Sequence, residues 1–142
     1  MYKKITANIM VADVGRTVDF YERVLDFGLV MAVPEDSQRI VTTREAGAPL
    51  AFAIVRQGNA ELMFQSRRSL ATEPPAPVGH EVVGDISLYI EVDNVKDLYR
   101  RLRDKVTIHQ DLHSTFYGME EFYIRDCNGY VLGFASRQEA RV

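Results

Sequence analysis

His109 and His113 are the first place to look for a metal site, because imidazoles four residues apart share one face of a helix. The residues before them, Val106-Thr107-Ile108, are β-branched and strand-like, so the two rings fall in a strand and its following loop, where they need not converge. They read as surface or rim histidines, and His80 as a histidine of a proline-rich linker. Among the acids, Glu61, Glu91 and Asp85 are the candidates for paired-carboxylate chemistry, but nothing in the sequence fixes their separation. Pocket-wall and solvated carboxylates remain alternatives for them. Cys127 sits beside Arg125 and Asp126 in a turn, which suits a tolerated substitution better than an activated thiolate. A ligand pocket is the better-supported chemistry. Met10, Met63, Tyr89 and Tyr123 share one strand parity and supply adaptable apolar surface, with Phe52 beside them. Asn8, Glu91 and Arg125 add polar handles. Several of these side chains have core or interface packing as the plain alternative.

Two copies of one unit position these residues. An offset of 81 lays Asp13 on Asn94, Ile9 on Ile90, Val11 on Val92, Val14 on Val95, Val18 on Tyr99 and Tyr21 on Leu102, without gaps. So long a period indicates a duplicated half-domain rather than a solenoid. Asp13 and Asn94 read as helix N-caps, since a short polar side chain there can accept from the unpaired first N–H groups. After them, Val14, Thr17, Val18, Tyr21, Val24 and Leu25, and then Val95, Leu98, Tyr99 and Leu102, mark one helical face each. Gly28 is the expected helix stop, and Asp97 after Asn94 resembles a shortened capping box.

Before each helix lies a strand with one apolar parity: Ile5, Ala7, Ile9 and Val11, then Leu88, Ile90 and Val92. These residues face the helices; the opposite parity lines solvent or a cavity. Further strands are expected at Leu29–Val33, Leu50–Arg56, Ala60–Gln65, Val106–His109, Glu121–Arg125 and Tyr130–Ala135, with a tight turn at Asp126-Cys127-Asn128-Gly129. Ala60, Leu62 and Phe64 should face the helix, leaving Glu61, Met63 and Gln65 on the other side. Between the copies, residues 67–83 hold three of the five prolines and read as a linker. Residues 35–48 read as a mobile loop or rim segment.

At 142 residues and 46% hydrophobic content the chain can bury one sizeable core. A net charge of −3 argues against a partner that must be neutralised at its phosphates, so nucleic acid is not expected. No apolar run approaches the roughly 20 residues needed to span a bilayer, so no membrane partner is expected either. One cysteine and no secretory apolar core after Met1-Tyr2-Lys3-Lys4 make the expected location cytoplasmic.

The run Val11-Ala12-Asp13-Val14, then Asp19-Phe20-Tyr21 and Val24-Leu25-Asp26-Phe27-Gly28, resembles the opening of a vicinal oxygen chelate module. The segment from Ser87 to Val95 echoes it, and Tyr117 to Asp126 with Asn128 to Phe134 resembles the module's end. The chain is thus similar to the glyoxalase, bleomycin resistance protein and extradiol dioxygenase superfamily, most of all to its bleomycin-resistance-like branch, although Cys127 stands where the family's turn usually carries proline. The resemblance implies an α+β fold: two tandem βαβββ modules forming a cup-shaped mixed sheet, one principal helix per module, in a single domain over 1–142. Module 1 covers about 1–66, module 2 about 84–136, and 137–142 is a tail. It also implies a homodimer.

Metal-dependent members take His, Glu or Gln ligands from the first and last strands of the modules. Carried over by position, those sites fall on Thr6, Ser87 and Gly133, none a credible ligand, and on one of Glu61, Leu62 or Met63. Glu61 alone is the remaining metal candidate, and one carboxylate does not hold an ion against water. The expectation is a small organic molecule bound in a dimeric cup at Asn8, Met10, Phe52, Met63, Tyr89, Glu91, Tyr123 and Arg125, with no cofactor and a divalent metal disfavoured. The alternatives are an atypical metal-dependent lyase or dioxygenase using Glu61 with His109 or His113, and a structural or regulatory interaction protein with a vestigial cup.

Overall fold

A computed structural model describes residues 1–67 and 86–138. His80, Asp85, the expected linker from residue 68 and the last four residues lie outside the described residues. The chain divides into two compact units, Met1–His80 and Glu81–Val142.

In the first unit, β1 (Ala7–Val11) leads into α1 (Val14–Arg23), followed by β2 (Gly28–Pro34), β3 (Leu50–Gln57) and β4 (Ala60–Ser66). The strand order is β1-β4-β3-β2, with β1 parallel to β4 and the other pairs antiparallel. The second unit repeats this with β5 (Leu88–Glu91), α2 (Val95–Leu102), β6 (Thr107–Ser114), β7 (Met119–Arg125) and β8 (Val131–Arg137), ordered β5-β8-β7-β6. The fold is α+β, two βαβββ units each with a four-stranded mixed sheet and one principal helix.

The two caps are alike, as the repeat requires. Asp13 and Asn94 are extended, and their side chains accept from the N–H groups of Arg16 and Asp97 at 3.0 and 3.1 Å. Asp97 completes no reciprocal bond of a capping box; its carboxylate pairs with Arg100 and Arg101 instead. The first helix does not stop at Gly28. It is capped at Val24, and Asp26 takes the left-handed conformation, φ +60°, that turns the chain before Gly28 opens β2. Leu25, expected on the helical face, is buried just beyond the helix end.

One face of each sheet packs on its helix. Tyr21 is fully buried against Phe27 and Phe64, with centroids 5.4 and 4.8 Å away, and Val18, Ala53 and Val55 close the same layer. In the second unit Phe122 meets Tyr99 at 5.2 Å and Phe134 at 5.4 Å, over fully buried Ile124 and Leu132. Burying each such side chain is worth about 1.5–3 kcal/mol. Leu62 and Phe64 take the helix side as their parity predicts, whereas Ile5 precedes β1 and is 94% exposed.

Residues 35–48 are tied down. Glu35 donates to the Pro49 carbonyl, Val41 bridges Ala32, and Arg44 donates to the Gly15 carbonyl and to Asp19. At the other end of the chain β8 continues to Arg137, and Gln138 N donates to the Gly118 carbonyl, so the sheet extends into the expected tail.

Candidate functional site

The face opposite the helix carries the chemistry in each unit. In the first, strand register sets Asn8 beside Met63 and Ile54, and Met10 beside Gln65 and Phe52. Asn8, Met10, Phe52 and Met63 therefore share a face, as their parity predicts. Asn8 Nδ2 donates to Gln65 Oε1 at 2.9 Å. Glu61 lies on this face but is occupied: Lys4 Nζ is 2.7 Å from Oε1, and Arg56 donates twice to Oε2, at 2.8 and 2.5 Å. Those bonds, Lys4's first and then Arg56's, hold its carboxyl below the usual range. A separate open cleft of about 800 Å3 lies against residues 33–51, with Arg39, Arg44 and Glu45 on its walls.

In the second unit, Tyr89, Gly133, Tyr123 and Gln110 form one row across the sheet, and Glu91, Ala135, Glu121 and His113 form the next. Glu121 is only 3% exposed. Its Oε2 accepts from the Tyr89 hydroxyl at 2.8 Å; its Oε1 accepts from Tyr117 at 2.8 Å and, at the long distance of 3.5 Å, from Tyr123. His113 Nδ1 lies 2.7 Å from the Asp111 carbonyl, which can only accept, and its Nε2 lies 3.4 Å from Glu121 Oε1. The three phenols hold their protons above the ordinary phenol range. Desolvation is the leading cause for Tyr89 and Tyr123, and the hydrogen bond to Glu121 is the leading cause for Tyr117.

Gly133 makes this arrangement possible. A Cβ there would stand 2.5 Å from Tyr123 Cε1, so the glycine is what lets the Tyr123 ring lie across β8. Beside Tyr123, Ser87, Arg125 and Tyr130 line a cleft of about 440 Å3. Arg125 donates to the Gly129 carbonyl; Glu91 is exposed and outside the tyrosine network. Asp126 builds the adjoining turn by accepting from Asn128 N and Tyr130 N, with Gly129 at φ +91°.

Parity placed Tyr89 and Tyr123 on one sheet face, as the register shows, but did not single out Glu121, Tyr117 or the contact of His113. The signal for Glu121 was its place two residues before Tyr123, on the same strand face. His113 is partly exposed and touches Glu121, and both histidines belong to β6 itself rather than to a strand and its following loop.

The profile of the Glyoxalase/Bleomycin resistance protein/Dioxygenase superfamily matches residues 5–134. The chain belongs to this superfamily. No curated protein matches the sequence. Among solved structures, TioX from Micromonospora sp. ML1 is 19% identical, with a TM-score of 0.67 over 94% of this chain and 99% of that one. Lactoylglutathione lyase from Agrobacterium tumefaciens is 16% identical, TM-score 0.65, over 95% and 94%. The bleomycin-binding protein from Streptomyces verticillus, complexed with copper(II)-bleomycin, is 20% identical, TM-score 0.59, over 99% and 100%. At these identities the likeness is one of fold.

The superfamily's metal chemistry can be tested on the donors present. Ala7 pairs with Leu62 where Leu88 pairs with Leu132, so the first unit's counterpart of Gly133 is Met63, and Glu61 stands one row away. A hydroxyl at Thr6, a hydroxyl at Ser87, a glycine and a thioether do not fit a labile divalent ion. Among the described residues no cluster of three or more His, Cys, Asp or Glu side chains is placed to hold one.

Proposed function

We propose that this superfamily member binds a small organic molecule on the helix-free faces of its sheets, without a catalytic metal. The observation that carries this reading is the Glu121 network beside the 440 Å3 cleft, where Gly133, at an expected ligand position, gives its space to the Tyr123 ring. Partly exposed tyrosines with polar tips suit an organic ligand. On the first unit's face, Asn8, Met10, Phe52 and Met63 provide a second, thioether-rich surface. Glu61, the one carboxylate suggested for a metal, is engaged by Lys4 and Arg56 and serves as a structural ion pair. The copper(II)-bleomycin complex of the Streptomyces verticillus protein is a precedent for ligand binding on this fold.

The same proposal takes residues 1–142 as one domain, paired in solution as a homodimer and working in the cytoplasm. No helix among the described residues is long and apolar enough to cross a membrane.

A thermal-shift screen of metabolites, antibiotics and metal salts tests the reading. A ligand at a hundred times its dissociation constant stabilises the folded state by about 2.7 kcal/mol. A true hit loses its shift in Tyr89→Ala or Met63→Ala while those variants still melt cooperatively. A hit unaffected by both variants, or no hit beyond divalent metals, contradicts the proposal.

A further inference from the structure

Glu121 is a buried carboxylate with hydrogen bonds but no fixed counter-ion. Its donors are three neutral phenols, and among the described residues no lysine or arginine pairs with it. His113 cancels its charge only when protonated, and then across 3.4 Å. Glu61 in the first unit, by contrast, has two cations in contact. A desolvated charge is normally matched, so an unmatched one in a site facing solvent marks the charge of what it receives.

The surroundings narrow the class. Tyr89 is 51% and Tyr117 53% exposed, and the hydroxyls of both are engaged by Glu121. Phe116 packs edge-on against Tyr117 at 5.1 Å and is itself fully exposed. Glu91 adds a second carboxylate on the same row as Glu121, two strands away across Ala135, which is about 10 Å. Arg137 stands one row from Glu121 and Arg125 two rows away on the other side, and neither pairs with Glu121.

Glu121 is only 3% exposed behind its phenols, so a primary ammonium would have to move them aside to hydrogen-bond to it directly. A cation with no N–H to satisfy has no such need and is held by ring faces with a carboxylate behind them. We propose that the second unit's sheet face binds a methylated, quaternary-type organic cation, seated on Tyr89 and Tyr117 over Glu121. This rests on the small-molecule reading above and names the ligand's charge and class.

Calorimetric titration of the full chain with choline chloride tests it, with 3,3-dimethylbutan-1-ol as the uncharged isostere and sodium chloride as the ionic control. Choline should bind at least tenfold more tightly than the isostere, and sodium chloride should give no saturable heat. Glu121→Gln should weaken choline at least tenfold. Should that variant fold poorly, Tyr89→Leu, at a half-exposed position, should weaken it similarly, and Tyr89→Phe, which keeps the ring, should restore most of the affinity. Equal affinity for choline and its isostere, no binding of choline, or Tyr89→Phe as weak as Tyr89→Leu would overturn the proposal. If choline fails but a neutral compound stabilises the protein in a Tyr89-dependent way, the cation assignment falls and the binding function stands. If neither binds, both fall.

Discussion

Burial and Glu121 together hold the protons on the neighbouring phenols. Tyr89, Tyr117 and Tyr123 have raised folded-state pKa values, through desolvation and the carboxylate that accepts from them. A raised value contributes stability that is fully present below the unfolded phenol pKa of about 10 and is lost as pH rises through the folded values. Alkaline unfolding of the wild type should therefore steepen above that point. In Glu121→Gln these phenols should ionise at lower pH, which phenolate absorbance would follow; an unchanged titration would show that the carboxylate is not the cause. Gly133→Ala drives a methyl into the Tyr123 ring and should cost about 1–3 kcal/mol, read by urea unfolding. The Tyr123→Ala background should relieve most of that cost. The sequence made Tyr89 and Tyr123 legible because period-2 alternation places side chains by face. The same alternation puts Glu121 on the face of Tyr123, but the sequence hid Glu121's partners, because Tyr89 and Tyr117 reach it from another strand and from a turn. It hid the contact of His113 because β6 carries register shifts between Ile108 and His113, and bulges of that kind leave no mark in a hydrophobic pattern.

Helix starts were readable and helix stops were not. Asp13 and Asn94 cap as expected, because a short acceptor before an amphipathic run has one good use. Asp13→Ala and Asn94→Ala should each cost about 1 kcal/mol in unfolding free energy. Gly28 looked like the stop of α1 because glycine takes a left-handed conformation without strain, yet Asp26, a residue type that tolerates it, does so two positions earlier. Ile5 continued the apolar alternation, but β1 starts only at Ala7. Its ladder with β4 opens at the Ala7–Leu62 pair, although β4 itself begins at Ala60, so Ile5 stays outside the sheet and exposed. Ile5→Ser should accordingly change stability by no more than about 0.5 kcal/mol, and a larger loss would place Ile5 in a contact outside the chain.

At the scale of the molecule, both units repeat one topology but differ in what they hold. The first unit's face has its carboxylate neutralised by Lys4 and Arg56, whereas the second keeps Glu121 among phenols. The duplication was legible because caps and core positions recur at a fixed offset; this divergence was not, because the outward faces carry no such constraint. The proposed homodimer predicts a light-scattering mass of twice 16.1 kDa at micromolar concentration, and a stable monomer would remove it. The central claim, ligand binding without metal, is tested most directly by titrating the best ligand from the thermal screen calorimetrically into chelator-treated and into metal-supplemented protein. The account predicts the same affinity in both, lost in Tyr89→Ala and kept in Glu61→Gln; binding that appears only with added metal and vanishes in Glu61→Gln would contradict it.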